Sequence, residues 1–193
     1  MYHMKLVIAR YDEDVTWTNG LKDVIIYNKS SSLPNSKHPF KQLTNVGREG
    51  HTYLHHIIQN YDQLDEYTCF MQGNPFNHSH DIEIRLQLFE KNPIPFYFLS
   101  HLIYNYNLSY DTTPTPRIEN VLQRTYRAIF GKDKINHHYQ FGPGAQFIVS
   151  RDLIRSRSKE FYENILHILE RHMNPIEGHA LERFWHMIFT HSE

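Results

Sequence analysis

The sequence has little of three features that would each define a class of protein. Among its 193 residues there is a single cysteine, Cys69, which excludes an intramolecular disulfide framework. No apolar run is long enough to cross a membrane, and the N-terminal stretch lacks the long apolar core of a signal peptide. We therefore expect a soluble, cytoplasmic protein with no transmembrane segment and with Cys69 as a buried thiol.

An excess of charge of either sign is also missing. The 20 Lys and Arg residues are balanced by 21 Asp and Glu residues, with no long run of one sign. Nucleic-acid binding depends on a basic face, so no nucleic-acid partner is predicted. The same balance remains compatible with a small basic pocket for a phosphorylated ligand.

Aromatic residues, by contrast, are abundant. The chain has 13 Tyr and 12 Phe, which predicts a largely aromatic core. The length suits one compact domain, and we expect residues 1–193 to form it.

Short apolar runs alternate with amphipathic patterns along the chain. Buried strands are predicted at residues 5–10, 23–30, 66–73 and 145–150. Helical faces are predicted at residues 45–60, 118–131, 158–172 and 177–189. Residues 82–91 fit a helix or an edge strand, and residues 92–117 fit a short strand followed by a long irregular loop. The alternation predicts an α/β domain with a mostly parallel central sheet and flanking helices.

In a parallel sheet, ligands bind at the carboxyl ends of the strands. Polar residues occur where each predicted strand ends. These are Asp12 to Asp14, Asn28 and Lys29, Gln72 and Gly73, and Ser150 and Arg151. A ligand site is therefore expected among them.

The segment "NVGREG" indicates an anion site at the start of a helix. Gly47 allows close approach of a ligand, free amides attract anions, and Arg48 can bind a phosphate or carboxylate with two hydrogen bonds. Asn45 is the predicted N-cap, and Glu49 suits the positive end of the helix dipole. The alternative is an ordinary capped helix with a surface arginine. A P-loop is excluded because the Gly-Lys-Ser/Thr ending is missing.

Two loops offer further candidates. His78, His80 and Asp81 have the donor types of a metal site, although an exposed polar loop is the favoured explanation for them. The Gly-Pro-Gly turn before Gln146 would let a ligand approach that amide, or it is simply a tight turn entering a strand.

Carboxylates of the last predicted helix are candidate proton acceptors. Glu177 lies at its start, and Glu182 lies one turn before His186. The alternative is an ordinary i, i+4 surface pair. Nucleophilic catalysis has weak support because no GxSxG segment occurs and Cys69 has apolar neighbours.

Several stretches of the chain together resemble a known family. They are "VIARYDEDVTW", "IYNKS", "NVGREGHTYLHHIIQNYDQL", "TCFMQGNPFNH", "GAQFIVSRDLIRSRSKEFYENI" and "ALERFWHMIF". In this order they resemble a domain of unknown function from fungal, bacterial and large-virus proteins, over about residues 5 to 190. The pattern NxGRExxTYLxHI is its most specific signature. Ser30 stands where the family commonly has glycine.

That family is distantly similar to glycosyltransferases of the GT-A type. The resemblance implies a nucleotide-sugar donor and a carbohydrate or glycoconjugate acceptor. "GAQFIVSR" followed by "EGHALERFW" is similar to the Gly-Ser-Gln-Trp segment and acidic helix start of the branching and xylosyl-transferase group, whose carboxylate deprotonates the acceptor. By this likeness Glu182 is the first candidate for the base and Glu177 the second.

The resemblance also assigns the remaining residues. The donor would lie near Arg10, Asp12, Lys29, Arg48, Gln72 and Gly73, and the acceptor near Gln146, Ser150 and Arg151. GT-A enzymes hold a metal and the donor diphosphate with Asp-x-Asp, but here the position reads Gln72-Gly73-Asn74. Either Mn²⁺ or Mg²⁺ is held with the help of His78, or transfer is metal-independent and Arg48, Lys29 or Arg151 neutralises the diphosphate.

Two other functions fit the same residues. One is a non-catalytic nucleotide- or carbohydrate-binding module on the same scaffold. The other is a metal-dependent hydrolase that uses His78, His80 and Asp81.

Overall fold

The computed structural model of the chain describes residues 3–108, 119–134 and 136–193. Its strands are β1 (Met4–Arg10), β2 (Val24–Asn28), β3 (Phe40–Gln42), β4 (Tyr67–Gln72), β5 (Phe96–Phe98), β6 (Tyr104–Asn107), β7 (His138–Phe141) and β8 (Phe147–Ser150). Its α-helices are α1 (Arg48–Asn60), α2 (Ile82–Lys91), α3 (Glu119–Phe130), α4 (Arg151–Arg155), α5 (Lys159–Leu169) and α6 (Glu177–Thr190). Short 3₁₀ helices occupy Thr16–Gly20 and Tyr61–Gln63.

The central sheet has six strands in the order β3-β2-β1-β4-β8-β5. Strands β1 to β4 are parallel, and β8 runs antiparallel to both β4 and β5. Strands β6 and β7 form a separate antiparallel pair. The prediction of an α/β fold with a mostly parallel sheet and flanking helices is therefore confirmed. Strand order reverses between β1 and β4, which creates a crevice at their carboxyl ends.

Each face of the central sheet carries its own apolar layer. Because side chains alternate across a strand, Phe70 of β4 points to one layer while Cys69 and Met71 point to the other. The larger layer joins the sheet to α1, α3, α5 and α6, and the smaller one joins it to α2 and the first 3₁₀ helix. Cys69 is fully buried, as predicted, and burial raises the pKa of its thiol.

The helices follow the apolar periodicity of the sequence closely. α5 begins after Ser158, whose hydroxyl accepts a hydrogen bond from the Phe161 amide. α3 ends before Gly131, which adopts a left-handed φ of 65°. Residues 82–91 form α2 rather than an edge strand. No helix in the described parts of the chain is both long and apolar enough to cross a membrane.

Two local predictions need correction. Residues 92–108 contain two strands, β5 and β6, instead of one strand and an irregular loop, because β6 gains a partner in β7 far along the chain. Most of the predicted loop, residues 109–117, lies outside the described residues. The N-cap of α1 is Gly47 rather than Asn45, since the chain turns through a left-handed conformation just before the helix.

The predicted position of Ser150 and Arg151 is also wrong. Ser150 pairs with Tyr67, and the Arg151 amide donates to Glu66, so both residues lie where β4 begins. The cause is the antiparallel direction of β8. The crevice lies at the carboxyl ends of the parallel strands, whereas the carboxyl end of β8 lies at their amino ends. There, Ser150 caps α4 by accepting a hydrogen bond from Leu153.

Candidate functional site

A polar cleft of about 510 Å³ opens at the carboxyl ends of β1, β2 and β4 and at the start of α1. This is the crevice at the reversal of strand order, where ligands bind in open α/β sheets. Its volume lies within the range of small-molecule sites. The lining residues are Ala9, Arg10, Tyr11, Glu13, Lys29, Asn45, Arg48, Glu49, Thr52, Gln72, Met173 and Asn174. The structure thus brings together four predicted residues: Arg10, Lys29, Arg48 and Gln72.

Arg10 ends β1 and organises the loops around the cleft. Its guanidinium is buried and donates to the side chain of Asn28, to both the hydroxyl and the carbonyl oxygen of Ser32, and to the carbonyl oxygens of Tyr11 and Glu13. These contacts leave few donors for a ligand, so Arg10 contributes positive charge and rigidity to the cleft.

Asp12 is not among the residues that line the cleft. Its carboxylate accepts hydrogen bonds from the hydroxyls of Ser32 at 2.6 Å and Ser30 at 2.8 Å. These two hydrogen bonds hold the pKa of Asp12 below its usual value. The predicted donor-binding residue therefore stabilises the turn that follows β2.

Lys29 follows β2 and is 8% exposed. Its amine donates to the carbonyl oxygens of Val46 and Arg48, on either side of Gly47. Burial lowers the pKa of Lys29 to about 7, and the charge of Glu49 partly opposes that change. The amine therefore holds the chain that enters α1.

Gly47 and Arg48 share an unusual backbone conformation. Their φ angles are 63° and 53°, and Arg48 is a side-chain-bearing residue in the left-handed region, where such residues are strained. A side chain at position 47 would come within 2.7 Å of the β-carbon of His51 and 3.0 Å of that of Leu169. This turn directs Arg48 along the cleft wall.

Arg48 is more exposed to solvent than Arg10 and Lys29, the other cations that line the cleft. Its side chain is 31% exposed. One of its terminal nitrogens lies 2.8 Å from Nε2 of His179 on α6. Burial, and then the charge of Arg48, lower the pKa of His179, so its ring is neutral and accepts this hydrogen bond. Arg48 can present its remaining donors to an anion.

Glu49 lines the cleft and was not predicted as a site residue. Its carboxylate lies 3.6 Å from Nε of Arg48, and its side chain is 12% exposed. Burial raises the pKa of Glu49; the charge of Arg48 opposes this, and the nearby Glu182 adds to it. The signal that could have found it was its position directly after Arg48 and one turn before Thr52, another residue of the cleft wall.

Glu182 and Glu177 occupy different surroundings on α6. One Glu182 oxygen accepts a hydrogen bond from the Gly144 amide at 2.7 Å, and the other lies 3.8 Å from Arg183. Glu177 instead pairs with Arg124 of α3 at 3.0 Å. Of the two predicted bases, Glu182 is the one whose charge acts on Glu49 in the cleft.

Gly73 and Gln146 lie next to the cleft. The Gly73 amide donates to the carbonyl oxygen of Ala9, and a side chain at Gly73 would come within 2.7 Å of the Glu13 carboxylate. Gln146 is buried; its amide nitrogen donates to Pro75, and its oxygen has no partner among the described residues. Gln146 therefore lies on the cleft side of the sheet, separated from Ser150 and Arg151.

The predicted metal ligands do not converge. Asp81, the N-cap residue of α2, pairs with Arg85 at 2.8 Å, and the ring of His80 packs against His101 with centroids 5.0 Å apart. Within residues 3–108, 119–134 and 136–193, no three His, Cys, Asp or Glu side chains are grouped to hold a metal ion. The expected site at His78, His80 and Asp81 is therefore not formed, because Asp81 turns to its own helix.

Residues 6–90 and 99–193 match the model of a family described as "Protein of unknown function (DUF3431)". The chain belongs to this family. No curated protein matches it. The predicted membership of a domain family of unknown function is confirmed, and every residue that lines the cleft falls in the matched part of this DUF3431 protein.

The cleft of this DUF3431 protein has the parts of an anion site. Arg48 supplies a partly exposed guanidinium, and the first turn of α1 supplies the positive end of a helix dipole. Thr52 adds a buried hydroxyl that has no hydrogen-bond partner among the described residues. Two carboxylates, Glu49 and Glu13, share the wall and can accept hydrogen bonds from hydroxyl groups.

Proposed function

We propose that this DUF3431 protein is a glycosyltransferase that moves a sugar from a nucleotide-sugar donor to a hydroxyl of a carbohydrate or glycoconjugate acceptor. The observation that carries the proposal is the position of Arg48. It stands at the start of α1, beside the cleft where strand order reverses. The mostly parallel sheet and the sequence likeness to GT-A enzymes support the same assignment.

Arg48 and the first turn of α1 face the donor diphosphate in this proposal. Stabilising the charge that develops on the leaving group is the largest contribution such a site makes. Lys29 and Arg10 act indirectly, because their donors hold the surrounding loops. Since Gln72-Gly73-Asn74 replaces Asp-x-Asp, we propose transfer without Mn²⁺ or Mg²⁺, in which Arg48 supplies the positive charge.

Glu182 is the proposed base that accepts the proton of the acceptor hydroxyl. The Gly144 amide holds one of its oxygens, and the other lies 3.8 Å from Arg183, too far for a hydrogen bond. Its side chain is 18% exposed, which gives an acceptor access. Glu177 is the weaker candidate because Arg124 already pairs with it.

The test begins with a thermal-shift panel of nucleotide sugars and nucleoside diphosphates, with and without Mn²⁺. A ligand that binds the folded state raises the melting temperature, so we expect a selective shift that does not depend on the metal. Arg48→Met should abolish the shift, whereas Arg85→Met on α2 should retain it. A flat panel at millimolar ligand would refute the proposal.

Turnover is then measured with the donor that gives the shift. Glu182→Gln should lose at least 100-fold in rate while keeping the thermal shift, in line with the ~10²–10⁴-fold effect of a general base. Glu90→Gln, an exposed change on α2, serves as the matched control. Full activity of Glu182→Gln would exclude Glu182 as the base.

The second candidate is a non-catalytic nucleotide- or carbohydrate-binding module. Lys29 and Arg10 favour it, because both donate their hydrogen bonds to other residues of the protein. Of the three cations in the cleft, Arg48 then keeps the most donors for a ligand. Selective nucleotide binding without sugar transfer to any acceptor, and without donor hydrolysis, would support this module over the enzyme.

A further inference from the structure

Glu49 and Arg48 are adjacent in sequence and meet again through their side chains at the cleft wall. The Glu49 carboxylate lies 3.6 Å from Nε of Arg48, too far for a strong hydrogen bond. Apart from its own backbone amide, no described residue donates a hydrogen bond to this carboxylate. A buried carboxylate with so few donors is costly to keep charged. The ion pair between Arg48 and Glu49 is therefore weak.

Thr52 provides an independent sign that the wall is built for a ligand. Its side chain is fully buried, lines the cleft, and leaves its hydroxyl without a partner among the described residues. Buried hydroxyls are normally satisfied, and a missing partner points to an absent water or ligand. Because Thr52 follows Arg48 by four residues, its hydroxyl lies one helical turn from the arginine.

The charges that face Glu49 come from several elements. Arg48 and the phenol of Tyr53 face it from α1. Lys29 faces it from the end of β2, and Glu182 faces it from α6. Arg10 and Glu13, from β1 and the loop after it, line the same cleft. Burial is the main reason why the pKa of Glu49 is raised, and Arg48 and Lys29 oppose it.

We propose that a diphosphate group binds here in exchange for the Glu49 charge. The ligand takes the place of the carboxylate beside Arg48, and Glu49 takes up one proton and donates a hydrogen bond to a phosphate oxygen. The Thr52 hydroxyl donates a second one. This inference rests on the proposed function only for the class of ligand, which is the diphosphate of a nucleotide sugar.

Diphosphate binding and proton uptake by Glu49 are coupled with a definite sign. A bound diphosphate places negative charge next to Glu49 and raises the pKa of its carboxyl further. Binding then takes up a proton at any pH where free Glu49 is ionised. Affinity must therefore fall as the pH rises, by up to about tenfold per pH unit for a single linked proton.

Inorganic pyrophosphate is the probe, and calorimetry measures its binding between pH 5 and pH 9. Titrations in two buffers with different ionisation enthalpies give the number of protons taken up. Glu49→Gln is the decisive variant because it removes the charge and keeps the shape. Glu90→Gln is the matched control, and subtracting the Glu49→Gln data removes the ionisation of pyrophosphate itself.

The wild type should take up close to one proton more than Glu49→Gln at pH 8. Glu49→Gln should bind pyrophosphate at least tenfold more tightly than the wild type at that pH, with little difference at pH 5. Thr52→Val should weaken binding without changing proton uptake. Equal proton uptake and equal pH dependence in the wild type and Glu49→Gln would overturn the proposal, as would undiminished binding by Arg48→Met.

This experiment separates the inference from the proposed function. Proton-coupled pyrophosphate binding without sugar transfer would uphold the exchange at Glu49 and refute the enzyme. Sugar transfer with proton uptake that is unchanged in Glu49→Gln would uphold the enzyme and refute the exchange. Thermal unfolding of each variant confirms that the folded protein is being titrated.

Discussion

The amine of Lys29 donates a hydrogen bond to the carbonyl oxygen of Arg48 and so joins the end of β2 to the first residue of α1. A second bond to Val46 completes a clamp around Gly47. The clamp holds the left-handed turn that directs Arg48 to the cleft. Lys29 thus acts as a positioning residue rather than as the phosphate ligand that its sequence position predicts.

Replacing Lys29 with Met should change how the free energy of unfolding depends on pH. The folded-state pKa of Lys29 is about 7, against 10.5 for an ordinary lysine, so above pH 7 the unfolded state binds a proton that the folded state lacks. This group therefore makes the free energy of unfolding rise with pH, by up to ~1.4 kcal/mol per pH unit. In Lys29→Met, the free energy of unfolding should no longer show this increase with pH.

The variant should also carry a cost of about 2 kcal/mol that does not depend on pH, because two carbonyl oxygens lose their donor. Urea denaturation at pH 7, 8 and 9 measures both effects. Lys91→Met, at the exposed end of α2, is the control. An unchanged pH slope in Lys29→Met would show that Lys29 is charged in the folded protein.

Gly47→Ala and Gly131→Ala form a matched pair. Both glycines have a left-handed φ, of 63° and 65°. A β-carbon at Gly47 would meet His51 at 2.7 Å, whereas one at Gly131 would meet nothing within 4 Å. Placing alanine in the left-handed conformation costs about 1 kcal/mol of folding stability, so Gly131→Ala should lower the free energy of unfolding by that amount. Gly47→Ala should lower it by about 3 kcal/mol, because its β-carbon also meets close contacts. Equal losses in chemical denaturation would mean that the contacts at Gly47 relax without cost.

Glu49→Gln should stabilise the ligand-free protein at pH 8. Because the folded-state pKa of Glu49 is raised, the folded protein holds this proton at pH values where the unfolded chain has released it. The contribution of Glu49 to stability is therefore lost as the pH rises through its folded pKa. Removing the buried charge should add on the order of 1 kcal/mol at pH 8. A lower melting temperature than that of Glu90→Gln would contradict this prediction.

His56 should make the protein sensitive to acid. It is 5% exposed, and its Nδ1 lies 3.0 Å from the Tyr27 hydroxyl. Burial lowers the pKa of His56 to about 3, so below pH 6.5 the unfolded state binds a proton that the folded state does not. Stability from this group is lost as the pH falls, by about 2 kcal/mol at pH 5.

His56→Gln should reduce that loss, and His167→Gln, at an exposed position of α5, should not. Unfolding free energies at pH 7, 6 and 5 provide the measurement. An equal fall in the wild type and His56→Gln would assign the acid sensitivity to other groups, such as His51, whose pKa burial lowers to about 4.

The main elements of the fold were predictable because their signals are local. A helical face such as that of α1, or an apolar run such as β4, depends on neighbours within a few residues. The N-cap of α1 was not predictable, since a left-handed Arg48 is stabilised by Lys29, 19 residues earlier in the chain. Strand β6 was missed for a similar reason, because its partner β7 begins 31 residues after β6 ends.

The sequence by itself determined the family, the α/β pattern and the presence of Arg48 at a helix start next to a strand-end cleft. Only the tertiary structure decided which polar groups face that cleft. It reversed β8 and so moved Ser150 and Arg151 away, and it used Lys29 to support the backbone. It also placed the largely buried carboxylate of Glu49 beside the partly exposed Arg48. Local periodicity depends on adjacent residues, whereas burial, charge pairing and strand direction depend on partners that are distant along the chain.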